Sequence, residues 1–308
     1  DPTDAGAAGQ VWYNSTSGTF KSIVAGGAWS SSAPLVNARY GHAGGGTQTA
    51  AVVFGGAAAP GEMNKTEEYN GSGWFSSGDM PWSAQFLGGC GTQTAALAAG
   101  GGFPSPVATA ATYNGSTWTG IPSLGTPRSR LAAIGTSTAA VAFGGGPPSP
   151  ANLSEEYNGT SWTEGSNLNQ ARGINNNGGG TQTAAIAAGG ENPGGTSVAN
   201  VEEYNGTSWS NSTALPAAKR NLATAGSQTA FLAIAGVTTG RVATCQEYDG
   251  SSWTSISAYP TALDVPDLEG TTTAAIASGG SDPSTVGTTN EYNFTVNTVT
   301  AGAWASGN

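Results

Sequence analysis

The chain of 308 residues is long enough to bury a large core, and it carries nine Lys plus Arg against nineteen Asp plus Glu, a net charge of -10. With no basic cluster to offset that charge, a phosphate backbone is repelled, which excludes nucleic acid as a partner. No run of eighteen apolar residues offers a membrane span, and Cys90 and Cys245 alone are too few for a disulfide framework and far from any CxxC metal spacing.

At the start, DPTDAGAAGQ has neither a basic nor an apolar leader region, and the lack of an initiating Met suggests processing or a fragment of a longer chain. The stretch GQVWYNSTSGTFK (9–21) reads as a small hairpin set apart from the remainder of the chain, so residues 1–30 are expected to form an N-terminal attachment segment.

Two phrases then alternate to the end of the chain. The first is TQTAAVVFGG (47–56), echoed at 92–101, 136–145, 181–190, 227–236 and 271–280. The second is a Tyr phrase such as EEYNGTSWT (155–163), with Tyr69, Tyr113, Tyr157, Tyr204, Tyr248 and Tyr292 spaced by 44, 44, 47, 44 and 44 residues. A short apolar run bounded by Thr and Gly-Gly suits a strand buried on both faces. Asn-Gly lies between Tyr and Trp at Asn70-Gly71, Asn114-Gly115, Asn158-Gly159 and Asn205-Gly206, with Asp249-Gly250 as the equivalent, and predicts a type I′ hairpin turn. The same turns account for the sequons at Asn158 and Asn205 without glycosylation. Four strands in a period near 44 mark an all-β, six-bladed propeller over 31–308, with blades at about 37–81, 82–125, 126–169, 170–216, 217–261 and 262–308. Cys90 and Cys245 then face each other across the ring, too far apart for a disulfide.

The order Arg39-Tyr40-Gly41-His42, a Gly-Gly-ended second strand, Tyr69 and Trp74 resembles the kelch family of propellers, and its Gly-Gly, Tyr and Trp marks recur through six copies over residues 37 to about 293. Blade five departs with Ala235-Gly236, and blade six has no Trp five residues after Tyr292. The missing fourth strand comes either from Trp304 or from the stretch around Trp29; the likeness of VTAGAWAS (299–306) to IVAGGAWS (23–30) favours Trp304.

Charge recurs with the blades. Glu68, Glu156, Glu203, Glu247 and Glu291 directly precede Tyr, while Arg39, Arg130, Arg172 and Arg220 open first strands; blade two has Gln85 and Thr112 instead. That joint loss predicts that Arg and Glu face each other within a blade, because stranding one partner of a buried pair costs ~3–5 kcal/mol. Blade six, with Glu291 and Asp264, does not follow the pattern.

His42 is the only histidine, so Ser-His, Cys-His and multi-His metal mechanisms lack an essential member, and the several ligating histidines required by the copper oxidases built on kelch propellers are not there. Its place in the repeat makes it structural, and no cofactor, metal or catalytic residue is assigned. YDGSSW (248–253) resembles the Asp-box of sialidases, with the acid four residues before Trp253 instead of five and Asn in the other copies. A glycosidase pair among Glu62, Glu191, Asp264, Asp267 and Glu269 depends on their separation in space. Variable loops between second and third strands offer Glu62, Phe103, Asn192, Arg241 and Asp282 as ligand-binding candidates.

The leader and the low-charge, Gly/Ser/Thr/Asn-rich repeats together are similar to tail-fibre and other virion proteins of marine, cyanobacterial bacteriophages. That resemblance implies a non-enzymatic virion structural protein, extracellular, joined to other virion proteins through its N-terminal segment and adhering to host-surface glycan. Alternatives are a secreted or cell-surface carbohydrate-binding bacterial propeller and a glycan-cleaving enzyme.

Overall fold

Each repeat folds into an antiparallel four-stranded sheet, and six sheets stand as the blades of a β-propeller. The computed structural model describes residues 11–14, 19–146 and 151–300. Blade one consists of Ala43–Thr47, Ala50–Phe54, Thr66–Tyr69 and Trp74–Ser76. The first strand of every blade is innermost and touches its neighbours all the way round, Asp267–Gly270 of blade six closing onto Ala43–Thr47. Crowding at this axis explains the glycine there: a Cβ on Gly45 would sit 2.9 Å from the carbonyl oxygen of Gly91.

The second strands are buried, Ala51 to Phe54 completely, and the core lies between blades. Phe54 of blade one meets the Trp118 ring of blade two at 4.9 Å, and Phe143 of blade three meets Trp209 of blade four at 4.7 Å. Tyr69 and Trp74 pair across their hairpin with ring centroids 5.1 Å apart. The connecting loop is not the expected type I′ turn, since only Gly71 of the Asn70-Gly71 pair has positive φ. Asn70 instead caps a four-residue loop, its Oδ1 accepting from the N–H groups of Ser72 and Gly73 at 3.0 Å each.

Polar side chains clip blades one, two, four and five to the blade before. Gln93 donates to the carbonyls of Ala51 and Tyr69, and Gln48, Gln182 and Gln228 do the same at their own seams. The Tyr hydroxyl donates to the Glu that precedes Tyr in the previous blade: Tyr248 to Glu203 at 2.9 Å, Tyr69 to Glu291 at 2.5 Å, and likewise Tyr113 to Glu68 and Tyr204 to Glu156. These glutamates therefore do not pair with arginine, which corrects the expectation. The intrablade ion pairs use the other Glu of the Glu-Glu-Tyr phrase: Arg39 with Glu67, Arg128 with Glu155 at 2.9 Å, and Arg172 with Glu202 at 2.9 Å. Successive strand residues point to opposite faces, so the Glu two before the buried Tyr is the inward one. Arg128 and Lys219 occupy the positions expected for Arg130 and Arg220. Blade two loses both members together, as Ala84 and Ala111, and there the Trp82 indole donates at 3.3 Å to the Gly100 carbonyl. The corresponding carbonyl, Gly189 O, is served by Arg172 in blade four.

Blade six is closed by the N-terminal strand, not by Trp304, which lies outside the described residues. Thr19–Ser32 pairs with Thr289–Thr300, placing Trp29 opposite Tyr292, where the other blades have their Trp. Trp29 packs on Tyr259 and Tyr292 at 4.9 and 5.1 Å and donates to Ser257 O at 3.2 Å. A side chain at Gly27 would overlap the Tyr292 ring, so the strand needs glycine there. The strand crosses the expected boundary at residue 30, so attachment segment and ring share it.

His42 is buried with Nε2 3.1 Å from Ser278 Oγ, and burial holds its pKa well below the ordinary value. Both cysteines are free and buried, the Cys90 thiol pushed up to about 12 by desolvation.

Candidate functional site

The two ends of the ring differ. One carries the Asn-Gly loops; the other carries the second-to-third-strand loops and the entries to the first strands. At this loop face the entry to each first strand carries a residue of positive φ: Gly41, Phe86, Arg130, Asn175 (followed by Asn176), Asn221 and Val265. They form a ring around the axis. Phe86 N donates to Gly41 O, Arg130 N to Phe86 O, Asn175 N to Arg130 O, Val265 N to Asn221 O and Gly41 N to Val265 O, at 2.7 to 3.3 Å. The sixth link, between Asn175 and Asn221, runs through their side-chain amides. Positive φ at Phe, Arg and Val costs of order 1–3 kcal/mol each and persists because the ring over-determines it.

The side chains on this ring divide the face into two sectors. Tyr40, Phe86 and Phe103 form an aromatic row with centroid separations of 6.4 and 6.2 Å. The guanidinium of Arg130 lies over both Phe86 and Phe103, at 5.6 and 5.5 Å. Beyond it, Glu191 accepts from Arg130 Nη1 at 3.2 Å on one oxygen, and its other oxygen forms an ion pair with Arg220 Nε at 3.3 Å. Asn221 then donates to Asp264 Oδ1 at 2.8 Å.

The expected candidates sit around this mouth with unequal roles. Glu62 accepts the Phe103 N–H at 2.7 Å, joining the loops of blades one and two. Arg241 Nε donates to Ser281 O at 3.0 Å, joining blades five and six. Asn192 closes its own loop, accepting from Gly194 N and Thr196 N at 3.0 Å. Asp282 is exposed, and its N–H turns back to Ser284 O. Phe103, 51% exposed, is the one that joins the aromatic sector. Phe86, Arg130 and Arg220 were not among the expected binding residues; a second Arg at 128 and a Lys at 219, better placed for the blade core, were the sequence signals that could have released Arg130 and Arg220 for the surface.

A cavity of about 160 Å³ occupies the axis, lined largely by glycine. Blade six brings Glu269 here, and the extra residue in blade four brings Asn176, whose Oδ1 accepts the Gly89 N–H at 3.3 Å. The carboxyls of Glu269 and Asp267 both reach Gly44, where a Cβ would overlap Glu269 Oε1 and lie 3.0 Å from Asp267 Oδ2, and Asp267 Oδ2 is buried without a hydrogen-bond partner among the described residues. Burial raises both acids, Asp267 to about 6 and Glu269 well above the usual carboxylate range. Among the described residues no group of three or more His, Cys, Asp or Glu is placed to hold a metal ion. Comparison with protein families and with curated proteins finds no match to this chain.

Proposed function

We propose that this chain is a non-catalytic virion structural protein that displays its propeller outward and adheres to host-surface glycan, as its resemblance to kelch-like bacteriophage tail-fibre proteins implies. One observation carries the reading. Where other blades turn after Tyr, blade six continues: residues 293–300 stay paired with 21–28, and Val11–Asn14 adds a further strand. At about 3.3 Å per residue this ribbon runs about 26 Å beyond the Asn-Gly end of the ring. A ribbon leaving one end suits attachment to other virion proteins there and leaves the loop face free at the other.

The repeated carboxylates support a non-enzymatic reading. Glu68, Glu156, Glu203 and Glu291 accept Tyr hydroxyls of the next blade, and Glu67, Glu155 and Glu202 serve buried arginines. Antibody labelling of intact particles tests the reading: signal on tail or capsid, with binding of purified protein to host cells, is expected. Purification only with bacterial envelope fractions overturns the virion assignment, and release of reducing sugars from host polysaccharide overturns the non-catalytic one.

A further inference from the structure

On a chain of net charge -10, the guanidinium charge available to a ligand among the described residues is concentrated. Arg39, Arg128, Arg172 and Lys219 are buried inside blades, and Lys65 is paired with Asp79 at 2.6 Å. Among the described residues the remaining guanidiniums are Arg130, Arg220 and Arg241, and all three stand on the loop face.

From this arrangement we infer that the loop face takes a carboxylate-bearing saccharide, its acid group held by Arg130 beside Arg220 and the apolar side of its ring laid on Phe103. The inference rests on the adhesion reading above and names the class of glycan. Arg130 commits one N–H to Glu191, at 3.2 Å, which leaves donors of a planar fork for a second carboxylate. Its orientation is set by the Phe86 and Phe103 rings on which it lies. Glu191 already shows that a carboxylate fits between Arg130 and Arg220. Of the neighbouring acids, Glu191 is engaged by both arginines, Glu62 by the Phe103 N–H and Asp264 by the Asn221 amide, while Asp282 is exposed on the loop of blade six. Phe103 is held by its backbone yet keeps half its surface in water, an exposure that a stacked sugar face would cover.

The probes are immobilised polygalacturonate, the same polymer after carboxyl reduction, and dextran sulfate, with binding followed on the full chain. Polygalacturonate is expected to bind, to weaken as salt rises, and to lose at least about tenfold in affinity in Arg130→Gln and in Phe103→Leu. Both variants should keep the parent's melting temperature within about two degrees, which separates lost contacts from lost fold. Equal binding of the carboxyl-reduced polymer, full affinity in Arg130→Gln, or preference for dextran sulfate overturns the carboxylate assignment while leaving glycan adhesion standing. Failure to bind any of the three polymers together with failure to bind host cells overturns the adhesion reading itself.

Discussion

The guanidinium of Arg172 lies 2.9 Å from Glu202 with both side chains fully buried, and its other nitrogen serves the carbonyls of Gly189 and Asn200 at 2.7 Å each. Burial lowers the arginine's pKa, opposed by the attraction of Glu202. The pair is therefore an arrangement in which each charge is tolerated only because the other is present.

Removing one member strands its partner. Arg172→Ala is expected to destabilise the chain by ~3–5 kcal/mol, and Glu202→Ala by a similar amount. Blade two, with Ala84 and Ala111 at these places, shows that a propeller blade folds with neither. The double variant should accordingly cost less than the sum of the singles, by about 2 kcal/mol. Urea unfolding of the three variants measures this cycle; additive singles would mean that the carbonyl contacts, and not the charge pair, dominate.

Blade five offers the converse case. Lys219 fills the arginine position, 1% exposed, and Gln246 stands where Glu would be. Nζ has only a 3.4 Å contact with Thr244 O, and burial pushes the amine down to about 8. The unfolded chain thus binds one more proton than the folded one between about pH 8 and the ordinary value of 10.5. The destabilisation is complete below pH 8 and fades as pH rises to 10.5. Lys219→Met is expected to stabilise the chain by about 1–2 kcal/mol at pH 7, with the gain shrinking towards pH 10. Unfolding midpoints of parent and variant at the two pH values check it; a gain that does not shrink would point to packing instead of charge.

Ala235 holds φ at +54° where other blades place the first Gly of Gly-Gly, such as Gly55 at +68°. An L side chain in that region costs roughly 1–2 kcal/mol. Ala235→Gly relieves the strain but adds freedom to the unfolded chain and removes a buried methyl. The balance is an expected gain of about 0.5–1 kcal/mol, read by thermal unfolding, and a loss on substitution would mean that packing of the methyl outweighs the backbone strain.

The blades were legible because Tyr and Trp must face each other across a hairpin once per period, so their spacing survives any change in the loops. Closure was not, because the stretches around Trp29 and Trp304 carry nearly the same residues and only pairing with Tyr292 distinguishes them. The ion pairs were half legible: joint loss in blade two was the right signal, but two adjacent glutamates offered two registers, and the alternation set by buried Tyr69 was needed to choose Glu67. The positive-φ ring left little trace, because Phe86, Arg130 and Val265 have no preference for that conformation and are held there by neighbours far away in sequence. For the same reason the loops pointed to Phe103 but not to Arg130.

Asp267 and Glu269 make the axis sensitive to pH. Desolvation is the main cause of both raised values, and the nearby groups are each other, Asn176 and the Cys90 thiol, with no cation among the described residues acting on either carboxyl. Their unfolded values lie near 3.8 and 4.5, so the folded chain binds more protons above that range. Their contribution to stability is therefore complete below about pH 4 and is lost as pH rises through 6, where Asp267 ionises beside Glu269, and further as Glu269 ionises in turn. Glu269→Gln removes one of the two acids. The variant is expected to match the parent near pH 4 and to exceed it increasingly from pH 5 to 8, by no more than ~1.4 kcal/mol per pH unit for the proton concerned. Thermal unfolding of both proteins across that range gives the difference directly, and a constant offset between the two curves would show that the pair does not share its charge in the folded state.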